Sequence, residues 1–342
     1  MKKLTFSLLT IFTLAFNSQA QELETILLAK DDAAKLTEAY INPTMKGLIY
    51  SSNSGWYHTA KVHKKFGFDI TIGASGSFAP SKDDIFDLTK LGLSSNTTFT
   101  NNTSPTIAAE ENVNGTTVTF NTSIDTPAGP QNVSADFTMP GGESIDITPA
   151  PMVQVGIGLP FKLEAMVRFV PKVGSDDVKA GLFGIGLKKE ITDWFGPMDK
   201  TPLHISLLAA YTNMTVDYEI GNVSGQVATT NGLTEFKLNS YTVQAIASLN
   251  LPVINFYGGV GYNGGTTKLN MLGDYTLTYQ TNTTPSVAVQ ENVSNPLALS
   301  NTTGGFNATI GTRLSLGFFK IFGSYTLQEQ NTLNAGIAFS FR

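Results

Sequence analysis

From Phe306 to the end of the chain, hydrophobic and polar residues change places at every second position. Phe306, Ala308, Ile310, Leu314, Leu316 and Phe318 fall on one face, with Asn307, Thr309, Gly311, Arg313, Ser315 and Gly317 on the other. After a turn, Phe319, Ile321, Tyr325 and Leu327 alternate with Lys320, Ser324 and Gln328. A further turn at 330–332 leads into Leu333, Ala335, Ile337, Phe339 and Phe341 against Asn334, Gly336, Ala338 and Ser340. Period two over roughly ten residues per strand, in consecutive hairpins, is the pattern of a transmembrane β-barrel. One face is apolar enough for lipid, the other small and polar. Strands with unpaired backbone cannot stand in hydrocarbon, so they must close on themselves.

The same alternation recurs upstream. Phe66, Phe68, Ile70 and Ile72 face away from Asp69, Thr71 and Gly73. Val153, Val155, Ile157 and Leu159 oppose Gln154, Gly156 and Gly158. Beyond Pro160, Leu163, Ala165, Val167 and Phe169 oppose Lys162, Glu164, Met166 and Arg168. Residues 178–190 are glycine-rich, and their faces are harder to assign. Segments 203–212, 241–250 and 254–263 complete the set, giving ten strands. Parts of 55–62 and 110–148 leave room for up to fourteen. The expected fold class is therefore all-β: a transmembrane antiparallel up-and-down β-barrel over 63–342. An even count puts both termini on the periplasmic side. Turns near Pro160, Leu251-Pro252 and Phe318-Phe319 are then periplasmic, and the segments 80–150, 221–234 and 271–304 become long outer loops.

Two of these loops carry a repeat. Residues 98–114 and 278–294 share eight of seventeen positions, among them Asn102, Pro105, Glu111 and Val113. One repeat at this distance is not a solenoid; the expectation is two similar outer loops that pack on each other as a rim.

Helical periodicity is confined to 22–45. Asp31-Asp32 can cap the run Ala33, Ala34, Leu36, Ala39, Tyr40, and Pro43 should stop it. This segment, 21–62, is expected to sit in or under the lumen as a plug. Trp56 and Tyr57 suit either a membrane–water boundary or packing against the helix. Trp194, Phe318 and Phe319 are further boundary candidates.

Ahead of this lies Lys2-Lys3, the apolar run Leu4–Phe16 and Ser18-Gln19-Ala20, the layout of a signal peptide cut after Ala20. The run is too short for a membrane helix. The remaining chain has 20 basic against 27 acidic residues, a net charge of about −7, which speaks against nucleic acid as a partner. Cysteine is absent, which excludes disulfides and thiol chemistry. The Asn-x-Ser/Thr triplets at Asn96, Asn114, Asn121, Asn282 and Asn301 follow from an Asn- and Thr-rich composition.

Candidate chemistry is sparse. Asp69, Lys162, Glu164, Arg168, His204, Gln244, Arg313 and Lys320 are the lumen-lining candidates. The opposite signs at 162, 164 and 168 suit either a neutralised cluster filling the barrel or a selectivity lining. His204 and Ser206 point the same way, about 7 Å apart on a strand, a spacing similar to the His-x-Ser pair of outer-membrane phospholipases. The acidic pairs Asp83-Asp84 and Asp176-Asp177 read as solvated loop charge. There is no zinc motif, phosphate loop or dinucleotide fingerprint, and no metal, cofactor or enzymatic activity is expected.

The text Asp-Ala-Ala-Lys-Leu-Thr-Glu-Ala-Tyr-Ile-Asn-Pro from Asp32, then Asn-Ser-Gly-Trp-Tyr-His-Thr-Ala-Lys from Asn53, then the Phe-rich strand resembles a family of uncharacterised outer-membrane proteins from Bacteroidetes-type, Gram-negative bacteria. The layout is similar to that of the long-chain fatty-acid channels, which place an N-terminal hatch inside a monomeric barrel. The opening motif usual in that group is missing here. The resemblance implies a monomer in the lipid of the cell outer membrane. It also implies passive or hatch-gated passage of a small, hydrophobic solute, with surface display of the long loops as the alternative.

Overall fold

The computed structural model describes residues 20–127, 129–175, 178–196 and 201–341. Most of the leader, 1–19, and the Asp176-Asp177 pair lie outside them. Strand β1 (Phe68–Phe78) is followed by β2 (Ile85–Asp87), β3 (Thr97–Phe99), β4 (Thr103–Pro105), β5 (Thr117–Thr126) and β6 (Gly129–Thr138). Then come β7 (Ile147–Leu159), β8 (Leu163–Gly174), β9 (Val178–Glu190), β10 (Leu203–Val223), β11 (Val227–Asn250) and β12 (Ile254–Thr281). The chain finishes with β13 (Ala288–Ser294), β14 (Leu297–Leu316), β15 (Phe319–Leu327) and β16 (Thr332–Phe341).

Ten strands form a closed antiparallel ring in the order β1, β7, β8, β9, β10, β11, β12, β14, β15, β16 and back to β1. Closure falls on the pairing of the first strand with the last, Phe68 opposite Phe341 through Ser77 opposite Thr332. Alternation sets what each face sees. Ile70, Val155, Ile185, Val243, Val260 and Ile310 stand exposed around the outside. Asp69, Gln154, Ser206, Thr242, Asn255 and Asn334 are buried inside. An apolar outer belt around a polar interior is the arrangement of a transmembrane barrel.

At one end three of the connections are short, at 160–162, 251–253 and 317–318. At the other, the segments expected as outer loops are largely strand. β10, β11 and β12 run for 21, 24 and 28 residues, about twice the length a bilayer requires or more. β13 and β6 pair with β12, and β5 and β3 continue that sheet. In the outer part of β12 Leu269, Met271, Tyr275, Leu277 and Tyr279 turn inward and Lys268, Asp274 and Gln280 face out, so the alternation persists with its polarity reversed. The two copies of the repeat take different structures. Thr103–Pro105 pairs with β2, whereas 282–287 is the connection between β12 and β13. They share one apolar core through Ile107 and Tyr279.

The N-terminal segment fills the lumen. A helix at Ala20–Thr25 and a 3-10 stretch at Ile26–Asp32 lead into a 21-residue helix, Ala33–Asn53. Pro43 lies inside this helix instead of ending it. An internal proline costs about 3 kcal/mol, but here the helix is buried on nearly every side from Tyr40 to Asn53, and the Pro43 carbonyl accepts from Gln330 Nε2 at 2.9 Å. Asp32 does not cap the helix. Its carboxylate instead accepts from Ser94 N, Ser94 Oγ and Thr97 Oγ1. Burial works to raise this carboxyl, yet those hydrogen bonds hold it below the usual range.

The direction of this segment corrects the expectation that both termini share one side. β1 begins and β16 ends at the short-turn end, as the even count requires. Residues 23–32, however, pack at the opposite end among Val118, Phe137, Leu277 and Leu297. The chain therefore descends the lumen as a helix, reaches the short-turn end by a tether of residues 54–67, and only then enters the wall.

The tether explains a glycine in the wall. A Cβ on Gly158 would lie 2.2 Å from the Lys64 carbonyl oxygen and 2.5 Å from that of His63. Both are backbone atoms that cannot swing away. Gly158→Val should cost about 1–3 kcal/mol through overpacking. Denaturant unfolding in detergent, followed by Trp56 fluorescence, measures this loss; an unchanged midpoint would contradict the close crossing.

Candidate functional site

At the short-turn end, Arg168 of β8 ties the helix to the wall. Its Nη1 donates to Ser52 O at 3.0 Å and its Nη2 to Ser54 O at 2.9 Å. Nε donates to Gln154 Oε1 at 2.9 Å, and the guanidinium lies 3.8 Å from the centre of the Trp56 ring. The carbonyls at a helix C-terminus lack intrahelical partners and carry partial negative charge. Arg168 supplies both hydrogen bonds and charge.

Below it, the tether is held by three carboxylates of the wall, and every histidine of the chain, three in all, takes part. His58 lies between Arg313 and Asp69, with Arg313 Nη1 at 2.9 Å from Nδ1 and Asp69 Oδ2 at 3.2 Å from Nε2. A guanidinium only donates, so Nδ1 accepts and Nε2 holds the proton toward Asp69. Glu164 receives His63 Nδ1 at 2.9 Å, the His63 amide at 3.0 Å and Lys188 Nζ at 2.7 Å. Glu190 receives His204 Nδ1 at 2.7 Å and the Val62 amide at 3.1 Å. Buried charges are tolerated when paired and hydrogen-bonded in this way.

The structure thus brings together Asp69, Glu164, Arg168, His204, Gln244 and Arg313 of the expected lumen set. Gln244 accepts from Tyr57 Oη at 3.0 Å. Lys320 sits at the rim, half-exposed, bonded to Gly317 O. Lys162 does not belong to the lumen: it lies in the turn before β8, exposed, and pairs with Asp193 of the neighbouring connection. Trp56 and Tyr57 are not boundary residues either. They are buried inside the barrel, at 1% and 6% exposure. Trp56 sits over Gly184 and Gly186, where a Cβ would approach its ring to 3.1 and 3.0 Å. This seat accounts for two of the three glycines of β9. Trp194 and Phe318 are exposed, and Phe319 is half-buried. Ser206 does not pair with His204; it is fully buried and donates to Ala60 O. His58, His63, Lys188 and Glu190 were not singled out in the sequence, although the scarcity of histidine and its two positions just before β1 could have flagged the tether.

Toward the other end, the wall and the plug part to leave an apolar cavity of about 140 Å³. Leu23, Ile41, Thr44 and Met45 line it from the N-terminal segment, and Val216, Phe236, Leu269 and Met271 from β10, β11 and β12.

The family of unknown function DUF6588 matches residues 1–341. The chain belongs to that family. No curated protein matches it. Similar solved structures include Ail, the attachment invasion locus protein of Yersinia pestis, in complex with the heparin analogue sucrose octasulfate. That likeness has 9% identity, covers 81% of this chain and 100% of the other, and has a TM-score of 0.28. The translocator domain of the autotransporter NalP from Neisseria meningitidis shows 8% identity over 92% of this chain and 99% of its own, with a TM-score of 0.30. Likenesses of this size bear on neither activity nor ligand.

Two outcomes follow from this geometry. Arg168→Met leaves the Ser52 and Ser54 carbonyls buried without donors, at about 1–3 kcal/mol each. Hydrogen-exchange protection of the helix should fall, while that of β14–β16 stays. At the other end, burial pushes the Glu24 carboxyl from 4.5 up to about 7, against one hydrogen bond from Thr229 Oγ1. The folded group holds its proton more tightly than the unfolded one, so its contribution is full below about 4.5 and is lost as pH rises through about 7. Protection of residues 20–32 should decline across that window, and Glu24→Gln should abolish the decline.

Proposed function

We propose that this chain is a monomeric outer-membrane barrel, without enzymatic activity, that admits a small hydrophobic solute past a fixed N-terminal plug. The observation that carries this reading is the apolar cavity between the plug helix and β10–β12. Such a cavity above a lumen crossed by buried charged and polar groups is a place for an apolar ligand to leave water. The exposed belt of Ile, Val and Phe supports a site in lipid, and the polar network below the cavity supports a plug that stays in place. The extended strands β10–β12 with the layer β2–β6 favour a second reading, in which this end of the molecule contacts a surface.

Deleting residues 22–60 while keeping the leader should raise single-channel conductance in planar bilayers. No change would remove the plug from the mechanism. Cells carrying the intact chain should also take up labelled toluene faster than cells lacking it, and Met45→Trp, which fills the cavity, should cancel the gain. Equal uptake with and without the chain would favour the surface reading.

A further inference from the structure

Beyond the bilayer one strand keeps an edge that no other strand covers. β14 pairs with β12 from Leu297 opposite Met271 to Leu314 opposite Ile254, but β15 joins its other side only from Ala308 onward. In an antiparallel sheet a residue turns its N–H and C=O to one neighbour, and the next residue turns them to the other. The Ser315 amide donates to Val253 O, on the β12 side, at 2.7 Å. The register runs unbroken from there to Leu297. Odd-numbered residues therefore bond β12, and Ala298, Ser300, Thr302 and Gly304 turn their main-chain groups to the open side. Among the described residues nothing bonds these groups. The rings of Tyr241, Tyr262 and Phe306, with centroids 6.4 and 5.6 Å apart, mark where the apolar belt ends. Past them Gly304, Thr302, Ser300 and Ala298 face out and are exposed. The edge thus stands in water, where unpaired backbone is allowed.

Long exposed edges are ordinarily blunted by lysine, proline or a bulge. Residues 297–306 hold no charged side chain and no proline, and the small side chains at 298, 300, 302 and 304 leave the main chain bare. The inner face beside the edge has room as well. Asn301 and Thr303 are half-buried, and a Cβ on Gly305 would meet only Tyr50 Oη, at 3.8 Å. Donors and acceptors that recur every second residue, about 6.8 Å apart, match another extended main chain. A second copy does not fit. Two barrels standing the same way up in one membrane bring their β14 strands together in parallel, with like groups facing at each level. We propose that this edge binds an extended segment of a partner polypeptide, added antiparallel to β14 in the column above β15 and held through its main chain. The proposal concerns the outer end alone and stands whether or not the cavity admits a solute.

The test uses the full mature chain in lipid nanodiscs and, as probe, a synthetic peptide copying residues 262–271. That sequence already lies antiparallel to 297–306 on the opposite side, with Leu269 and Met271 turned in, so its alternation matches. Amide exchange at Ser300, Thr302 and Gly304 should slow about tenfold once the probe reaches about ten times its Kd. Methylating the peptide nitrogens copied from 264, 266, 268 and 270 should remove the effect. Thr302→Pro deletes an amide that bonds nothing within the chain, and proline is accepted on such an edge. It should keep the unfolding midpoint and abolish the slowing at Ser300 and Gly304. Thr303→Pro deletes an amide bonded to β12 and should lower the midpoint. A midpoint for Thr302→Pro as low as for Thr303→Pro overturns the assignment of the edge. Unchanged exchange at millimolar probe, or slowing that survives Thr302→Pro, overturns the docking site. Protection without probe that rises with the number of chains per bilayer and vanishes in Thr302→Pro shows pairing between copies and overturns the choice of partner.

Discussion

The structure rests on the requirement that no strand in hydrocarbon be left with unpaired backbone. Ten antiparallel strands meet it only because β1 and β16, which lie at opposite ends of the barrel sequence, pair over their length. Once that ring is closed, side chains have two destinations, and alternation assigns them without further choice. The outward set can be uniformly apolar because lipid asks for nothing else. The inward set cannot, since it has neither bulk water nor a second sheet to satisfy it.

The plug resolves this second difficulty. Ser, Thr, Asn and Gln around the inside would be orphaned in a dry lumen, and Asp69, Glu164 and Arg168 would be worse than orphaned. The N-terminal segment answers them group by group: helix C-terminal carbonyls for Arg168, histidine rings and main-chain amides for the carboxylates, the Pro43 carbonyl for Gln330. The glycines at 158, 184 and 186 make room for it. The charged groups of the wall are thus paired at the end where the helix stops, while the other end is filled largely by apolar contact.

The barrel was legible in the sequence because its strands sit between two solvents of opposite kind, which stamp period two on every segment that crosses. The strand order and the parity at the short-turn end follow from that alone. Beyond the bilayer the contrast reverses, with apolar side chains turned inward and polar ones to water, and the outer halves of β10, β11 and β12, rich in Thr and Asn, read as loops. Pro43 misled for a related reason: local propensity gave a helix ending there, whereas burial of Tyr40–Asn53 outweighs one missing amide. Trp56 and Tyr57 have the chemistry of a boundary, and only the three-dimensional position of the tether sends them inward. The pairs His58–Asp69 and His63–Glu164 link residues from different elements, so no linear spacing announces them.

One feature of the plug reaches past the finished molecule. Because the helix runs down the bore from the far mouth and the wall starts only after it, the earliest part of the chain occupies the space that the later strands enclose. A completed cylinder would have to be threaded from end to end to reach this state. A curved sheet still open between β1 and β16 can wrap around the helix sideways, with the last hairpin drawn shut afterwards. The seam is then also the order of events: the contents go in first, and the C-terminal strand locks them in.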